Sequence, residues 1–202
     1  MDLPAEPAQP RWTFLRQWLK NPLRTAALLP SSAELGAAMV AELPPGTQRV
    51  IELGGGTGAI TEALLKAGVP AAGLLVVELN EELHAHLQSR FPGVGIAEGD
   101  ARDLREIAWR SRFLDAGMVD AVVSSLGLLS MPRDTQRAIL VAAFACLGEN
   151  GRFIQFTYGP QAPVSDEVVR SLRLRVRRGD FILRNVPPAT VYVYTRAATD
   201  GT

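Results

Sequence analysis

Only one cysteine, Cys146, occurs in the chain, so no internal disulfide can form and no oxidising compartment is needed. Its place beside the apolar run 138–145 predicts a buried helix residue. Histidine is almost as scarce. His84 and His86 lie two apart on a helical pattern, pointing about 200° from each other, so they cannot share a metal ion, and no cysteine cluster stands in for them. No metal is expected. An excess of one charge is also missing: 21 Lys and Arg balance 21 Asp and Glu, which gives no overall pull toward nucleic acid but leaves room for a local patch. No stretch approaches the ~20 apolar residues of a spanning helix. Met1 to Pro10 carries prolines at 4, 7 and 10 where a secretory signal would be apolar, so a cytosolic protein is expected. A 47% hydrophobic and 21% charged composition fits one globular domain with a well-buried core.

The most informative feature that is present is Val50-Ile51-Glu52-Leu53-Gly54-Gly55-Gly56-Thr57-Gly58. An apolar strand ends in an acid and breaks into a loop with alternating glycines, which can turn sharply and pass close to a ligand at a helix start. Gly54, Gly56 and Ala59 also satisfy the dinucleotide fingerprint, with Glu78 near the expected ribose-binding acid. Charge separates the two readings. A dinucleotide would set its pyrophosphate beside Glu52, which is unfavourable, whereas a sulfonium and an ammonium group would be attracted. Glu78 closes the run Leu74 to Val77, and Asp100 closes the run 94–99, so three acids fall at three successive strand ends.

Strand-like runs at about 49–53, 73–79, 93–98, 119–124, 150–157, 172–177 and 190–195 are mostly separated by helical patterns. Helices are expected from near Thr57, from near Glu81, and from about Asp134 to Leu147, before a Gly148-Glu149-Asn150-Gly151 breaker. This alternation predicts a parallel, doubly wound α/β sheet that binds its ligand beyond the strand carboxyl ends, where the glycine loop and the acids lie. Residues 1–10 and 197–202 read as frayed tails, 11–45 as amphipathic and lid helices, and 46–196 as the cofactor-binding domain.

With Glu52 to Gly58, Glu78 and Gly99-Asp100-Ala101 in these positions, the chain resembles the class I S-adenosylmethionine-dependent methyltransferases. The resemblance implies a single Rossmann-like domain with a mostly parallel seven-stranded sheet and a closing antiparallel strand. It implies S-adenosylmethionine as cofactor, S-adenosylhomocysteine as product and no metal. The implied cofactor set is Glu52, Gly54, Gly56, Thr57, Gly58, Glu78, Leu79, Asp100, Ala101 and Ser124, with Glu78 on the ribose and Asp100 and Ala101 at the adenine. Segments 19–24, 28–32, 124–132, 155–159 and 185–189 further resemble the bacterial phospholipid N-methyltransferases, which carry phosphatidylethanolamine to phosphatidylcholine. The implied acceptor set is Ser31, Ser32, Ser125, Leu126 and Tyr158. Ser31 and Ser32 read either as helix N-caps or as donors to a lipid phosphate, and Tyr158 either as a packing aromatic or as the group that meets the acceptor nitrogen. One departure bears on acceptor choice: that family's pattern places proline after Ser-Gly-Leu, where this chain has Ser125-Leu126-Gly127. The related ribosomal RNA adenine dimethylases need an Asn or Asp and an aromatic at Ser124 to Gly127 to stack a base, and neither is there, so nucleic acid is not expected as a partner.

From Arg11 to Arg24 the chain has four basic residues, no acid and two of its three tryptophans. On a helical wheel Trp12, Phe14, Leu15, Trp18 and Leu19 share one arc, with Arg16 and Lys20 opposite. Such a helix either packs its aromatic face on the sheet or lies in a membrane interface. The second reading makes Arg11, Trp12, Leu15, Arg16, Trp18, Leu19 and Lys20 the contacts with an anionic bilayer, on the inner face of the cell membrane. A second basic run, Arg170, Arg173, Arg175, Arg177 and Arg178, alternates with Leu172, Leu174 and Val176 and reads as a solvated or edge strand, with phosphate contact as the alternative. If residues 11–20 are a bilayer anchor, deleting residues 1–20 lowers co-sedimentation with anionic liposomes; unchanged binding in a folded variant removes the segment from that role.

Overall fold

Apolar runs without alternation are buried on both faces, as central parallel strands require, and Val50–Leu53 (β1) and Leu74–Glu78 (β2) are buried at every residue. The computed structural model describes residues 32–158, 161–183 and 187–197. The tails, residues 11–20 and Ser31 lie outside them. Five more strands follow: Gly95–Glu98 (β3), Val119–Ser124 (β4), Leu147–Thr157 (β5), Leu174–Ile182 (β6) and Ala189–Arg196 (β7). They join one sheet in the order β3-β2-β1-β4-β5-β7-β6. β1 to β5 pair in parallel, and β7 runs antiparallel to both β5 and β6. The expected mostly parallel, doubly wound sheet with a reversed strand is therefore present.

Helices cover both faces. Ser32–Val40 (α1), Ala59–Lys66 (α2) and Glu81–Arg90 (α3) pack over Val50, Leu74, Val76, Ala121, Val123 and Ile154. Leu104–Arg110 (α4), Arg133–Cys146 (α5) and Asp166–Ser171 (α6) cover Ile51, Leu53, Leu75, Val122, Phe153 and Tyr194 on the other face. Each fully buried large aliphatic side chain contributes roughly 1.5–3 kcal/mol before ordering costs. Cys146 ends α5 wholly buried, and desolvation pushes its thiol up to about 11, so it is a packing residue.

Two boundaries differ from the sequence reading. The Gly148–Gly151 segment does not break the chain between helix and strand: β5 begins at Leu147, directly after α5. The β4–β5 register jumps from Val119–Leu147 to Ala121–Arg152, so the extra residues are absorbed as an irregularity in the ladder. Of the basic run, Arg175, Arg177 and Arg178 lie on the edge strand, whereas Arg170 is on α6 and Arg173, with φ 49°, lies in the turn between them; β6 extends to Ile182, and Val176 and Phe181 on it are exposed. Among the described residues β6 is the last strand of the sheet, so its outer edge pairs with no further strand.

Candidate active site

The carboxyl ends of β1, β2 and β4 converge on the glycine loop. Gly54, Gly56 and Gly58 all have positive φ, at 75°, 54° and 87°. At Gly58, the left-handed cap of α2, an added Cβ would stand 2.3 Å from Phe91 Cε2, so only hydrogen fits. Gly56 differs, because the nearest atom to an added Cβ there is the Gly54 carbonyl oxygen at 4.0 Å. It faces open space where a ligand can approach the backbone.

Glu78 holds this loop to the sheet. Gly56 N–H donates to its Oε2 at 2.9 Å and Asn80 N–H donates to its Oε1 at 2.9 Å. Each oxygen keeps a further acceptor site, which is what a ribose diol requires. From outside, Arg90 donates to the Thr57 carbonyl at 2.6 Å and pairs with Glu62 at 2.6 Å, clamping the loop against the start of α2. Neither Arg90 nor its role was legible in the motif.

Glu52 requires a correction of place and charge. It is not at the mouth of the crevice: Leu53 follows it inside β1, and its side chain is wholly buried. Thr61 Oγ1 on α2 donates to Glu52 Oε2 at 2.7 Å, while Oε1 has no partner among the described residues. Burial pushes the carboxyl up to about 8 against the opposing Thr61 hydrogen bond, and the nearby Glu78 carboxylate adds to the rise. The neutral form of Glu52 is thereby favoured.

Asp100 caps the short turn Ala101–Asp103, accepting from Arg102 N–H at 2.8 Å. The Arg102 side chain donates to both of its oxygens, at 3.0 and 2.7 Å, and this pairing holds the carboxyl below its ordinary range. Ala101 packs beside it, and Leu79 stands 67% exposed after β2. An apolar wall and a polar edge thus flank the space beyond Glu78.

The loop after β4 has buried supports that lie outside the sequence motifs. Ser124 is buried, and its Oγ accepts from Leu126 N–H at 3.3 Å; Ser125 N–H donates to the Leu53 carbonyl at 2.9 Å. Gln155 on β5, wholly buried, donates through Nε2 to the carbonyls of Leu126 at 2.8 Å and Phe156 at 2.7 Å. Gln136 on α5 donates to the carbonyls of Leu128 and Met131. A glutamine between Ile154 and Phe156, in the apolar end of β5, was the available signal. Gly127 has φ −75° and no neighbour within 4 Å of an added Cβ, so its departure from the family pattern relieves no backbone strain. Tyr158 follows β5 at 40% exposure, its ring edge-on to Phe156 at 5.2 Å. The fold thus gathers Gly54, Gly56, Thr57, Gly58, Glu78 and the Ser124–Leu126 loop into one constellation, and places Leu79, Asp100, Ala101 and Tyr158 along the same edge. Ser32 starts α1 and its side chain is outside what is described.

This donor set suits a cationic nucleoside. The loop 53–58 carries no basic residue, Glu78 offers acceptors, and the unpartnered, buried Glu52 Oε1 is a polar atom that a water can satisfy in either protonation state, or an ammonium group once the carboxyl is ionised. The fold and site define a methyltransferase. The sequence model of the methyltransferase domain matches residues 50–151, and the chain belongs to the class I S-adenosylmethionine-dependent methyltransferases, with S-adenosylmethionine as cofactor. An ornithine lipid N-methyltransferase of Singulisphaera acidiphila is 32% identical, over 89% of this chain and 92% of the relative. A ribosomal RNA small subunit methyltransferase A of Methylococcus capsulatus is 40% identical, but over only 41% of this chain and 33% of its own length. Among solved structures, a TehB-like SAM-dependent methyltransferase from Corynebacterium glutamicum superposes with a TM-score of 0.62 at 18% identity, covering 92% of this chain and 97% of the other. No group of three or more His, Cys, Asp or Glu among the described residues could hold a metal.

Glu78→Ala weakens S-adenosylmethionine binding by roughly 1.5–3 kcal/mol, the worth of a charged acceptor, read by calorimetry; unchanged affinity in the folded variant removes Glu78 from the site. For Glu52, the proton is held more tightly in the folded than in the unfolded chain. Its contribution to stability is full below the ordinary carboxyl value of 4.5 and is lost as pH rises through about 8. Glu52→Gln flattens that slope in denaturant titrations from pH 5 to 9; an unaltered slope means Glu52 is already ionised when buried.

Proposed function

We propose that the protein transfers methyl groups from S-adenosylmethionine to the amine of a membrane aminolipid, with phosphatidylethanolamine and its mono- and dimethyl derivatives as acceptors and phosphatidylcholine as the end product. The observation that carries this reading is the match to a lipid N-methyltransferase along nine-tenths of both chains, whereas the RNA-methylating relatives align with less than half of this one. The cofactor supplies an electrophilic methyl group on a sulfonium. The residues must do the rest: hold the donor against the glycine loop, bring the nitrogen into line with it, and accommodate the proton that nitrogen loses. A lipid amine with a pKa near ~10 is mostly protonated at neutral pH, so the free base must be selected or formed. Tyr158 is assigned to that step, orienting the nitrogen, accepting its proton, or meeting the increasingly cationic product with its ring. Ser125 and Leu126 line the acceptor side on a loop whose position Gln155 secures, and Ser31 and Ser32 are assigned to the lipid phosphate. The Arg11 to Lys20 segment docks the enzyme on the inner face of the cell membrane. No helix among the described residues is long and apolar enough to cross a membrane.

A second acceptor is favoured by a specific finding: the relative's name specifies ornithine lipid, whose acceptor is also a lipid amine. Incubating the pure protein with methyl-labelled S-adenosylmethionine and liposomes of either lipid, or with ribosomal RNA, discriminates them. Label in mono-, di- and trimethylated phosphatidylethanolamine is the expected outcome. Label confined to ornithine lipid changes the acceptor, and label confined to RNA overturns the lipid reading.

A further inference from the structure

We infer that the carboxyl end of β6 is a second bilayer-contacting element, and that it turns the mouth of the crevice toward the lipid surface. This rests on the lipid reading above. Because β7 is antiparallel to both β5 and β6, β6 runs in the same direction as β1 to β5. Its end at Ile182 therefore lies on the same edge of the sheet as the glycine loop, the Ser124–Leu126 loop and Tyr158. That end is unusually apolar on its surface. Phe181 is 52% exposed and Leu183 71% exposed, against a core in which side chains of their size are wholly buried.

The strand leading to them is cationic. β6 carries Arg175, Arg177 and Arg178 against one acid, Asp180, with Arg173 just before it, and of these four arginines only Arg177 is in a salt bridge with a described residue, Glu42. Pairing with β7 puts Val176, Arg178 and Phe181 on one face of the sheet, and the Arg178 guanidinium stands 6.0 Å from the Phe181 ring centroid. An aromatic and an aliphatic tip, with guanidinium groups behind it, matches the layering of an anionic bilayer: the rings reach the acyl boundary while the cations stay at the phosphates. RNA matches the cations but not Phe181 and Leu183. A second strand added to the edge would meet a row of arginines that disfavours pairing.

The docking has a consequence for the reaction. A bilayer-resident acceptor leaves its tails in the membrane and presents only its headgroup, so the enzyme must bring its crevice to the surface. Contact through β6 does this on the side of Tyr158, independently of the residues 11–20 segment.

The test uses the full chain carrying Leu183→Cys labelled with an environment-sensitive fluorophore, and Ala116→Cys, exposed on the loop before β4 at the opposite edge, as the control. Cys146 is buried and stays unlabelled. On vesicles of phosphatidylethanolamine and phosphatidylglycerol bearing brominated tails, the label at 183 is quenched about twofold or more and that at 116 is unchanged. Phe181→Ser with Leu183→Ser lowers vesicle partition about tenfold while S-adenosylmethionine affinity stays as it was. An unquenched label at 183 on sedimented, vesicle-bound protein overturns the inference, and lipid methylation in the same samples shows that the proposed function survives it. Absence of vesicle binding, or a label at 183 that responds to RNA or to protein concentration and not to vesicles, also overturns it.

Discussion

The site depends on one carboxylate. Glu78 receives the N–H groups of Gly56 and Asn80, so it joins the end of β2 to the loop after β1 and to the start of α3. Those backbone donors would otherwise lose hydrogen bonds as the loop leaves the sheet, and each bond to a charged acceptor is worth roughly 1.5–3 kcal/mol. The acid thus has two tasks before any ligand arrives. It fixes the glycine loop in its left-handed turns, and it remains available to a pair of hydroxyls.

Around that contact, the buried polar groups act as positioners. Thr61 holds Glu52 from α2, and Gln155 and Gln136 hold the loop after β4 from β5 and α5. These groups are desolvated, so their hydrogen bonds are strong and the cost of losing a partner is high. Rigid supports on helices and strands hold a crevice rim that is itself made of loops. Glu52 joins this set as a group whose ionisation depends on its surroundings, since burial and the charge of Glu78 both oppose its anion.

Charge alone does not separate this loop from a dinucleotide site once the fold is known. Glu52 is buried with its carboxyl pushed up, so its anion is disfavoured at the loop, and Glu78 is the acid that a dinucleotide site would also place on a ribose. The cofactor class rests instead on the methyltransferase-domain match over residues 50–151.

Much of the architecture was legible in the residues. The continuous apolar runs of β1 and β2, the three glycines with positive φ, the acid ending β2 and the edge placement of Arg175, Arg177 and Arg178 follow from local pattern, because side-chain period and turn chemistry are properties of neighbouring residues. The methyltransferase class followed from the same motif. Tertiary structure alone decided three things: that Glu52 lies beneath α2 where burial raises its carboxyl, that Gln155, Gln136 and Arg90 secure the loops, and that Phe181 and Leu183 emerge on the same edge as the crevice. Each of these depends on how elements pack against one another, through desolvation, hydrogen bonds between elements and the direction in which β7 returns, and none of them is written in local sequence.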